Sequence, residues 1–169
     1  MSKNISVFDF DGTLFYTPTP DEGKKVFKSK FGFEWPYRGW WSKKETLDEE
    51  TFHIPMNQWV YREYLKAMSN DHFVILATGR MESLRKEVQS ILSNNNLEFD
   101  EVHLNPGMET FLFKSKLFEN SIKKHKAISL TMYDDRSEHL IKFKEWAKTQ
   151  DCEINIIDIN RKIKLEWQR

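Results

Sequence analysis

The 169-residue chain has little of several features that define well-known protein classes. Its single cysteine, Cys152, excludes an internal disulfide framework and is typical of a reducing compartment. No apolar run is long enough to cross a membrane or to act as a secretion signal, so we expect a cytoplasmic protein without a membrane partner. The 26 lysine and arginine residues balance the 26 aspartate and glutamate residues, so no net charge attracts nucleic acid. A phosphate loop of the Walker type is also missing, which argues against a kinase.

Short apolar runs alternate along the chain with stretches whose apolar residues recur at helical spacing. This alternation predicts a mostly parallel sheet with right-handed crossovers and helices on both faces. A chain of 169 residues is long enough for one such domain with a substantial core. Asp21 and Thr110 are the predicted N-caps of two of the helices. The predicted strands are 5–8, 72–77, 99–104, 128–133 and 153–159, the predicted helices are 21–31, 56–68, 82–94, 110–123 and 137–148, and a charged tail runs through 169.

The first candidate site follows the first predicted strand. The apolar run there breaks at Asp9, Asp11 and Gly12, which is typical of a buried strand that ends in a tight turn. Residues two apart on an extended chain point to the same face, so the two carboxylates can converge on one site. Buried carboxylates need a partner, and a metal ion is the usual one. The alternative is an ordinary Asp-Gly turn after a strand.

A second polar cluster follows the next apolar run. Thr78, Gly79 and Arg80 stand between that strand and a predicted helix. A hydroxyl, a flexible glycine and an arginine beside a helix start can form an anion site. Alternatively, Arg80 is an exposed residue in the first turn of the helix.

A third polar cluster, Asp134, Asp135 and Arg136, follows the fourth predicted strand. In open parallel sheets, ligands bind beyond the carboxyl ends of the strands. We therefore expect Asp9, Thr78 and Asp134 to lie around one site. An Asp-Asp pair can also simply cap the following helix.

Aromatic side chains crowd the segment between the first strand and the helix at 56–68. Pro36 and Gly39 argue against regular structure in that segment. The rings either pack the segment onto the domain or form a substrate wall for nucleobases, with Arg38, Trp40 and Trp41 as its candidates. The aromatic residues of 31–41 are Phe31, Phe33, Trp35, Tyr37, Trp40 and Trp41.

These motifs resemble the signatures of the haloacid dehalogenase (HAD) superfamily. Asp9-Phe-Asp11-Gly12-Thr13 resembles the first signature of that family. Thr78-Gly79 resembles the second signature, the Thr110–Lys114 segment resembles the third, and Asp134-Asp135 resembles the fourth. The resemblance implies a three-layer, Rossmann-like α/β fold with a mostly parallel five-stranded sheet. Residues 1–169 would form a single HAD-like phosphatase domain, with a small aromatic-rich, cap-like insert at about 16–55.

A narrower resemblance covers the first quarter of the chain. Leu14-Phe15, Thr17-Pro18, Pro20 and Gly39-Trp40-Trp41 are similar to the opening of HAD-like domains of the Swiss Army Knife RNA-repair type. The Thr-Gly-Arg and Asp-Asp-Arg forms also resemble the phosphatase half of phage polynucleotide kinase.

The HAD resemblance implies a role for each site residue. Asp9 would be the nucleophile, Asp11 the general acid and base, and Lys114 the counter-charge, with Lys116 and Lys126 as rivals for that role. Mg²⁺ would be held by Asp9, the Asp11 backbone carbonyl and Asp134, with Asp135 and Arg136 beside these ligands. The substrate phosphate would be bound by Gly12, Thr13, Thr78, Gly79 and Arg80.

The substrate is left open by these residues. A small insert keeps the site accessible, which favours the 3′-phosphate of an RNA or DNA end, whereas zero net charge weakens that preference. A nucleotidase or small-metabolite phosphatase is the alternative. A non-catalytic module that binds phosphate or RNA ends is the second alternative, although Asp9 and Asp11 argue against it. Protein partners cannot be read from the sequence.

Overall fold

Five parallel strands form one sheet in the computed structural model, which describes residues 2–160. The strands are β1 (Asn4–Phe8), β2 (Phe73–Met81), β3 (Glu101–Asn105), β4 (Ser129–Asp134) and β5 (Glu153–Asp158). The α-helices are α1 (Pro20–Phe31), α2 (Gln58–Ser69), α3 (Arg85–Asn94), α4 (Thr110–His125) and α5 (Ser137–Ala147). Two short 3-10 helices cover Lys44–Leu47 and Glu82–Leu84.

The strand order is β3-β2-β1-β4-β5, so β1 lies at the centre of the sheet. It pairs with β2 on one side and with β4 on the other, with Phe8 opposite Leu76 and Tyr133. The chain order reverses at β1, which places the ends of β1 and β4 beside each other at the point where such sheets bind ligands. The predicted five-stranded parallel α/β fold is confirmed.

Helices cover both faces of the sheet and make the fold three-layered. On one face, Phe8 and Leu76 pack in a cluster with Val60 of α2 and Val88 of α3. On the other face, strand residues such as Val7 pack in a second cluster with residues of α4 and α5. Adjacent β1 residues therefore serve opposite clusters, as the pleat of a strand requires. Among the described residues, no helix combines the length and the apolar composition needed to cross a bilayer.

The N-caps differ from those predicted. Thr19 caps α1 through a reciprocal pair of hydrogen bonds with Glu22, and Pro20 takes the first helical position. Asp21 therefore lies in the first turn of α1. In α4 the cap is Glu109, whose carboxylate accepts the backbone N–H groups of the first turn, and Thr110 is the first residue of the helix.

Two strand boundaries also differ from those predicted. β2 does not stop at Thr78, because Thr78 still pairs with Leu104, and the strand continues to Met81 after a register shift. β3 begins only at Glu101, because the side chain of Asp100 accepts the N–H of Val74 and Phe99 packs into the core. The charged tail beyond residue 160 lies outside the described part of the chain.

Residues 16–55, called the insert below, contain α1, the first 3-10 helix and the aromatic segment. Trp40 is the anchor of this segment: it is 4% exposed, its indole N–H donates to the Pro18 carbonyl, and its ring packs on Gly23 of α1. Phe27 and Trp35 join it in a ring cluster. Aromatic packing thus holds α1 and the aromatic segment of the insert together.

Candidate active site

The three predicted clusters meet at the carboxyl edge of the sheet. Asp9 follows β1, Gly79 and Arg80 lie in the last part of β2, and Asp134 ends β4. Residues from all three clusters line a cavity of about 250 Å³. Its lining residues are Asp9, Asp11, Gly12, Thr17, Thr19, Trp41, Gly79, Arg80, Thr110, Lys114, Asp135, Arg136 and His139.

Lys114 forms the electrostatic centre of the site. It lies in the second turn of α4, and its ammonium group donates to Asp9 Oδ1 and to Asp134 Oδ2, both at 3.0 Å. All three side chains are at least nine-tenths buried. Lys114 is therefore the lysine that neutralises the two acids, whereas Lys116, two positions further along the same helix, is exposed.

The buried charges shift one another's protonation. Burial raises the pKa of Asp9, and the nearby Asp134 and Asp135 carboxylates raise it further against the opposing effect of Lys114. Burial alone would lower the pKa of Lys114, but Asp134 and Asp9 outweigh it, so the net shift is upward. The site therefore holds more negative charge than one ammonium group compensates, a balance that suits an added cation.

Three carboxylates converge closely enough to hold a metal ion. Ligand atoms of Asp9, Asp134 and Asp135 lie within 4.8 Å of one another. Burial and the Asp134 carboxylate raise the pKa of Asp135 to about 6, because adjacent acids resist ionising together. An oxygen-only donor set of this kind fits Mg²⁺. We call Asp9, Asp134 and Asp135 the acidic cluster. Asp135 is thus one of the three candidate metal ligands, whereas we expected it only to neighbour them.

Gly12 is required by this geometry for two reasons. Its φ of +71° is in the left-handed region, and a Cβ at this position would overlap the Asp135 carboxylate. Its own N–H donates to the Phe15 carbonyl at 2.8 Å, within the tight turn that follows β1. Gly12 therefore contributes space and a turn to the site, and its role at the substrate phosphate stays a prediction.

Arg80 has a different contact from the expected one. Its Nε and Nη2 donate to the two oxygens of Asp11 at 2.9 and 2.7 Å, and Nη1 donates to the Trp41 carbonyl and to the Thr46 hydroxyl. The Arg80 side chain is 1% exposed. A guanidinium with these four hydrogen bonds is committed to protein partners, which favours a positioning role, and phosphate binding by Arg80 stays a prediction. Arg80 is not an exposed first-turn residue.

The two threonines expected at the phosphate are both fully buried. The Thr13 hydroxyl donates to Asp9 Oδ2 at 3.3 Å, so this side chain holds the carboxylate in place. The Thr78 hydroxyl accepts the N–H of Arg80 at 3.1 Å and steadies the bulged end of β2. Neither residue lines the cavity, whose wall at these points is formed by Gly12 and Gly79.

The three residues proposed as a substrate wall lie in different environments. Trp41 lines the cavity, is 38% exposed, and lies over the Arg80 guanidinium with its ring centre 5.0 Å away. Trp40 is a core residue and cannot be a wall, because its ring is used in packing the insert. Arg38 is exposed and lies away from the cavity lining.

The sequence arguments missed several cavity residues. Thr17, whose hydroxyl donates to Asp11 Oδ1 at 2.7 Å, is the clearest example. His139 lines the cavity from α5, is 8% exposed, and has no partner for Nδ1 among the described residues. His139 is only three residues beyond Arg136, in the first turn of α5, but nothing in the sequence pattern of that helix marks it as a site residue.

Comparisons with known proteins identify the family and the fold of this chain. The model of HAD domain family 1 in Swiss Army Knife RNA repair proteins matches residues 30–165. Chains in two structures of the Pnkp1/Rnl/Hen1 RNA repair complex superpose with TM-scores of 0.61 and 0.60 at 17% and 19% identity. Each match covers 93% of this chain but only 46% and 43% of those chains.

A structure described as a phospho-aspartyl intermediate analogue of phosphoserine phosphatase has the same fold. Its TM-score is 0.50 at 15% identity, over 98% of this chain and 99% of that chain. The matched family model covers well over half of the chain, and the solved structures share its architecture. The chain therefore belongs to HAD domain family 1 of Swiss Army Knife RNA repair proteins, and its fold is that of the HAD phosphatases.

Proposed function

We propose that this HAD-family phosphatase hydrolyses phosphate monoesters in a Mg²⁺-dependent reaction with a phosphorylated Asp9 intermediate. The observation that carries the proposal is the Asp9 carboxylate, which lines the cavity while Lys114 and Thr13 hold its two oxygens. A carboxylate held in this way presents one face to an incoming phosphorus atom. We further propose that residues 1–169 act as one catalytic domain with residues 16–55 as a small cap.

In the proposed first step, Asp9 attacks phosphorus while Asp11 protonates the leaving oxygen. Asp11 lines the same cavity, and Arg80 and Thr17 hold its carboxylate. In the second step Asp11 takes a proton from water, and the resulting hydroxide attacks the phosphorus of the aspartyl-phosphate. Asp9 is then regenerated and inorganic phosphate is released.

The acidic cluster is the proposed Mg²⁺ site. Asp9, Asp134 and Asp135 offer carboxylate oxygens, and the Asp11 backbone carbonyl remains a candidate ligand. Bound Mg²⁺ would neutralise charge on the phosphoryl oxygens and on the clustered acids. Lys114 would share this task, because its ammonium group lies between Asp9 and Asp134.

A 3′-phosphate at a nucleic-acid end is the proposed substrate. Trp41 and Arg136 are both exposed at the cavity, and they offer a stacking face and a cation to a strand that enters from solvent. The matched family consists of RNA repair proteins, and the superposed Pnkp1/Rnl/Hen1 assembly is an RNA repair complex, which supports an RNA end as the polymer.

A nucleotidase is the second candidate. The exposed Trp41 ring can stack on one base as well as on the last base of a strand. A small-metabolite phosphatase remains a further alternative. A non-catalytic phosphate- or RNA-end-binding module is disfavoured, because such a module gains nothing from Asp9 and Asp11 in one cavity.

The test is phosphate release from a 3′-phosphorylated oligonucleotide and from the matched nucleoside 3′-monophosphate, with Mg²⁺ or with a chelator. We expect release that requires Mg²⁺, is faster for the oligonucleotide, and is abolished in Asp9→Asn. Faster release from the mononucleotide would favour the nucleotidase. Substantial turnover by Asp9→Asn would contradict the mechanism, and end binding without any turnover would support the binding module.

A further inference from the structure

One guanidinium group connects the insert to the proposed general acid. Arg80 contacts Asp11 through Nε and Nη2, and its Nη1 donates to two insert groups, the Trp41 carbonyl and the Thr46 hydroxyl, each at 2.8 Å. A planar fork that is bound at both ends has only one favourable orientation. The insert therefore fixes the plane in which Arg80 holds the Asp11 carboxylate.

The surroundings of Thr46 favour its contact with Arg80. Its side chain is fully buried, and its hydroxyl proton is used by the Lys43 carbonyl at 2.7 Å. The hydroxyl oxygen is consequently left as an acceptor for Arg80. The neighbouring Leu47 is buried in the core, which anchors the 3-10 helix that carries Thr46.

We propose that Thr46 is a positioning residue for the general acid: through Arg80, Thr46 and the Trp41 carbonyl hold the Asp11 carboxylate where it can protonate the leaving oxygen. The insert then acts on catalysis as well as on access to the cavity. This inference rests on the proposed function, because it takes Asp11 as the acid in the first step.

The leaving group provides a readout that a purely structural role would not affect. Nitrophenolate leaves without protonation, whereas the alkoxide of a sugar or glycerol needs a proton from the acid. The value of kcat/KM reports the steps up to formation of the aspartyl-phosphate, so it is independent of the later use of Asp11 as a base. A misplaced Asp11 must therefore lower kcat/KM for alkyl phosphates selectively.

The experiment compares Thr46→Val with Thr46→Ser on a 3′-phosphorylated oligonucleotide, β-glycerophosphate and p-nitrophenyl phosphate. Valine keeps the shape of threonine and removes the acceptor, whereas serine keeps the hydroxyl. Losing a hydrogen bond to a charged group should lower kcat/KM for the alkyl esters about tenfold in Thr46→Val, with a change of less than about twofold for p-nitrophenyl phosphate. Thr46→Ser should retain the wild-type values.

Thr51→Val is the matched control, since the Thr51 hydroxyl contacts Asp48 within the insert and lies away from Arg80. Thermal unfolding monitors the fold of every variant. If Thr46→Val fails to fold, Arg80→Lys replaces it, because lysine keeps the charge and loses the two-pronged contact; the same selective loss is expected.

Two results of the variant comparison overturn the inference: an equal loss on aryl and alkyl esters, or no loss on the alkyl esters. A wild-type enzyme that hydrolyses only the aryl ester overturns it as well, because Asp11 then does not protonate alkoxide leaving groups. A wild-type enzyme that hydrolyses β-glycerophosphate and not the oligonucleotide contradicts the proposed substrate alone. In that case the comparison on β-glycerophosphate still decides the role of Thr46.

Discussion

Single residues in this site are defined by the charges they face. Asp9 and Asp134 are both buried, and each has Lys114 as its cationic partner among the described residues. A buried ion pair adds little net stability, but removing one partner leaves an uncompensated charge in a poor solvent. Lys114 therefore matters both for the proposed chemistry and for the fold.

Lys114→Met is expected to reduce phosphate release about 100-fold or more, because one of the groups that stabilise the phosphoryl oxygens is lost. It should also lower the free energy of unfolding by about 3 kcal/mol, because Asp9 and Asp134 are left buried without their ammonium partner. Urea unfolding and phosphate release are the measurements. Lys116→Met is the control, since Lys116 is exposed on the same helix. Equal effects of the two substitutions would contradict the assignment of Lys114.

Gly12→Ala tests the close approach of the Gly12 backbone to the Asp135 carboxylate. Gly12 and Gly32 both have positive φ, at +71° and +80°, but a Cβ at Gly32 meets nothing within 4 Å. Gly32→Ala should therefore cost only the backbone strain of about 1 kcal/mol. Gly12→Ala should cost more and should abolish phosphate release, because the added methyl displaces the Asp135 carboxylate. Similar unfolding energies and activities for the two variants would count against this geometry.

Among the elements, α1 and the aromatic segment of the insert meet in one especially close contact. Gly23 faces the Trp40 ring so closely that a Cβ there would overlap the ring. A glycine in the interior of a helix is normally a weakness of about 1 kcal/mol relative to alanine. Here it allows the helix to pack directly on the indole ring.

Gly23→Ala is accordingly expected to destabilise the protein, although the same change in an open helix position would stabilise it. The displaced ring should change the tryptophan fluorescence, and the melting temperature should fall. Ser29→Ala, an exposed position on the same helix, serves as the control. A melting temperature that rises in Gly23→Ala would show that Trp40 is not packed as described.

For the molecule as a whole, the acidic cluster makes stability depend on pH. The pKa of Asp135 is raised from 3.8 to about 6 by burial and by Asp134, so between these values the folded protein holds a proton that the unfolded chain has lost. The contribution of this proton to the free energy of unfolding is fully present below pH 3.8 and is lost as the pH rises through 6. In the absence of metal, the melting temperature of the wild type should fall from about pH 5 to about pH 7.5.

Asp135→Asn should reduce this fall in melting temperature, because the amide does not titrate. Asp151→Asn, at an exposed position, should leave it unchanged. Thermal unfolding in the presence of a chelator is the measurement. The same pH dependence of the melting temperature in Asp135→Asn and in the wild type would indicate that titration of the Asp135 carboxylate does not cause it.

Much of the site could be predicted because its signals are local. The apolar runs before Asp9 and Asp134 each identify a strand end, and the run before Thr78 identifies β2, although that strand continues to Met81. The carboxyl ends of parallel strands meet at one edge of the sheet. The N-caps were harder to predict, since Asp21 and Thr19 both have capping side chains and Pro20 decides between them.

The choice of Lys114 over Lys116 and Lys126 came from the HAD resemblance, whereas local sequence patterns were enough to predict the alternation of strands and helices and the carboxyl-edge location of the acids. These features depend on periodicity and on short motifs, which neighbouring residues specify. The partners of Arg80, the burial of Trp40, the closeness of Asp135 to Asp9 and the place of His139 were set by the tertiary fold. Thr46 and Arg80 are 34 residues apart and meet only when the insert folds back onto the sheet, so no local pattern encodes their contact.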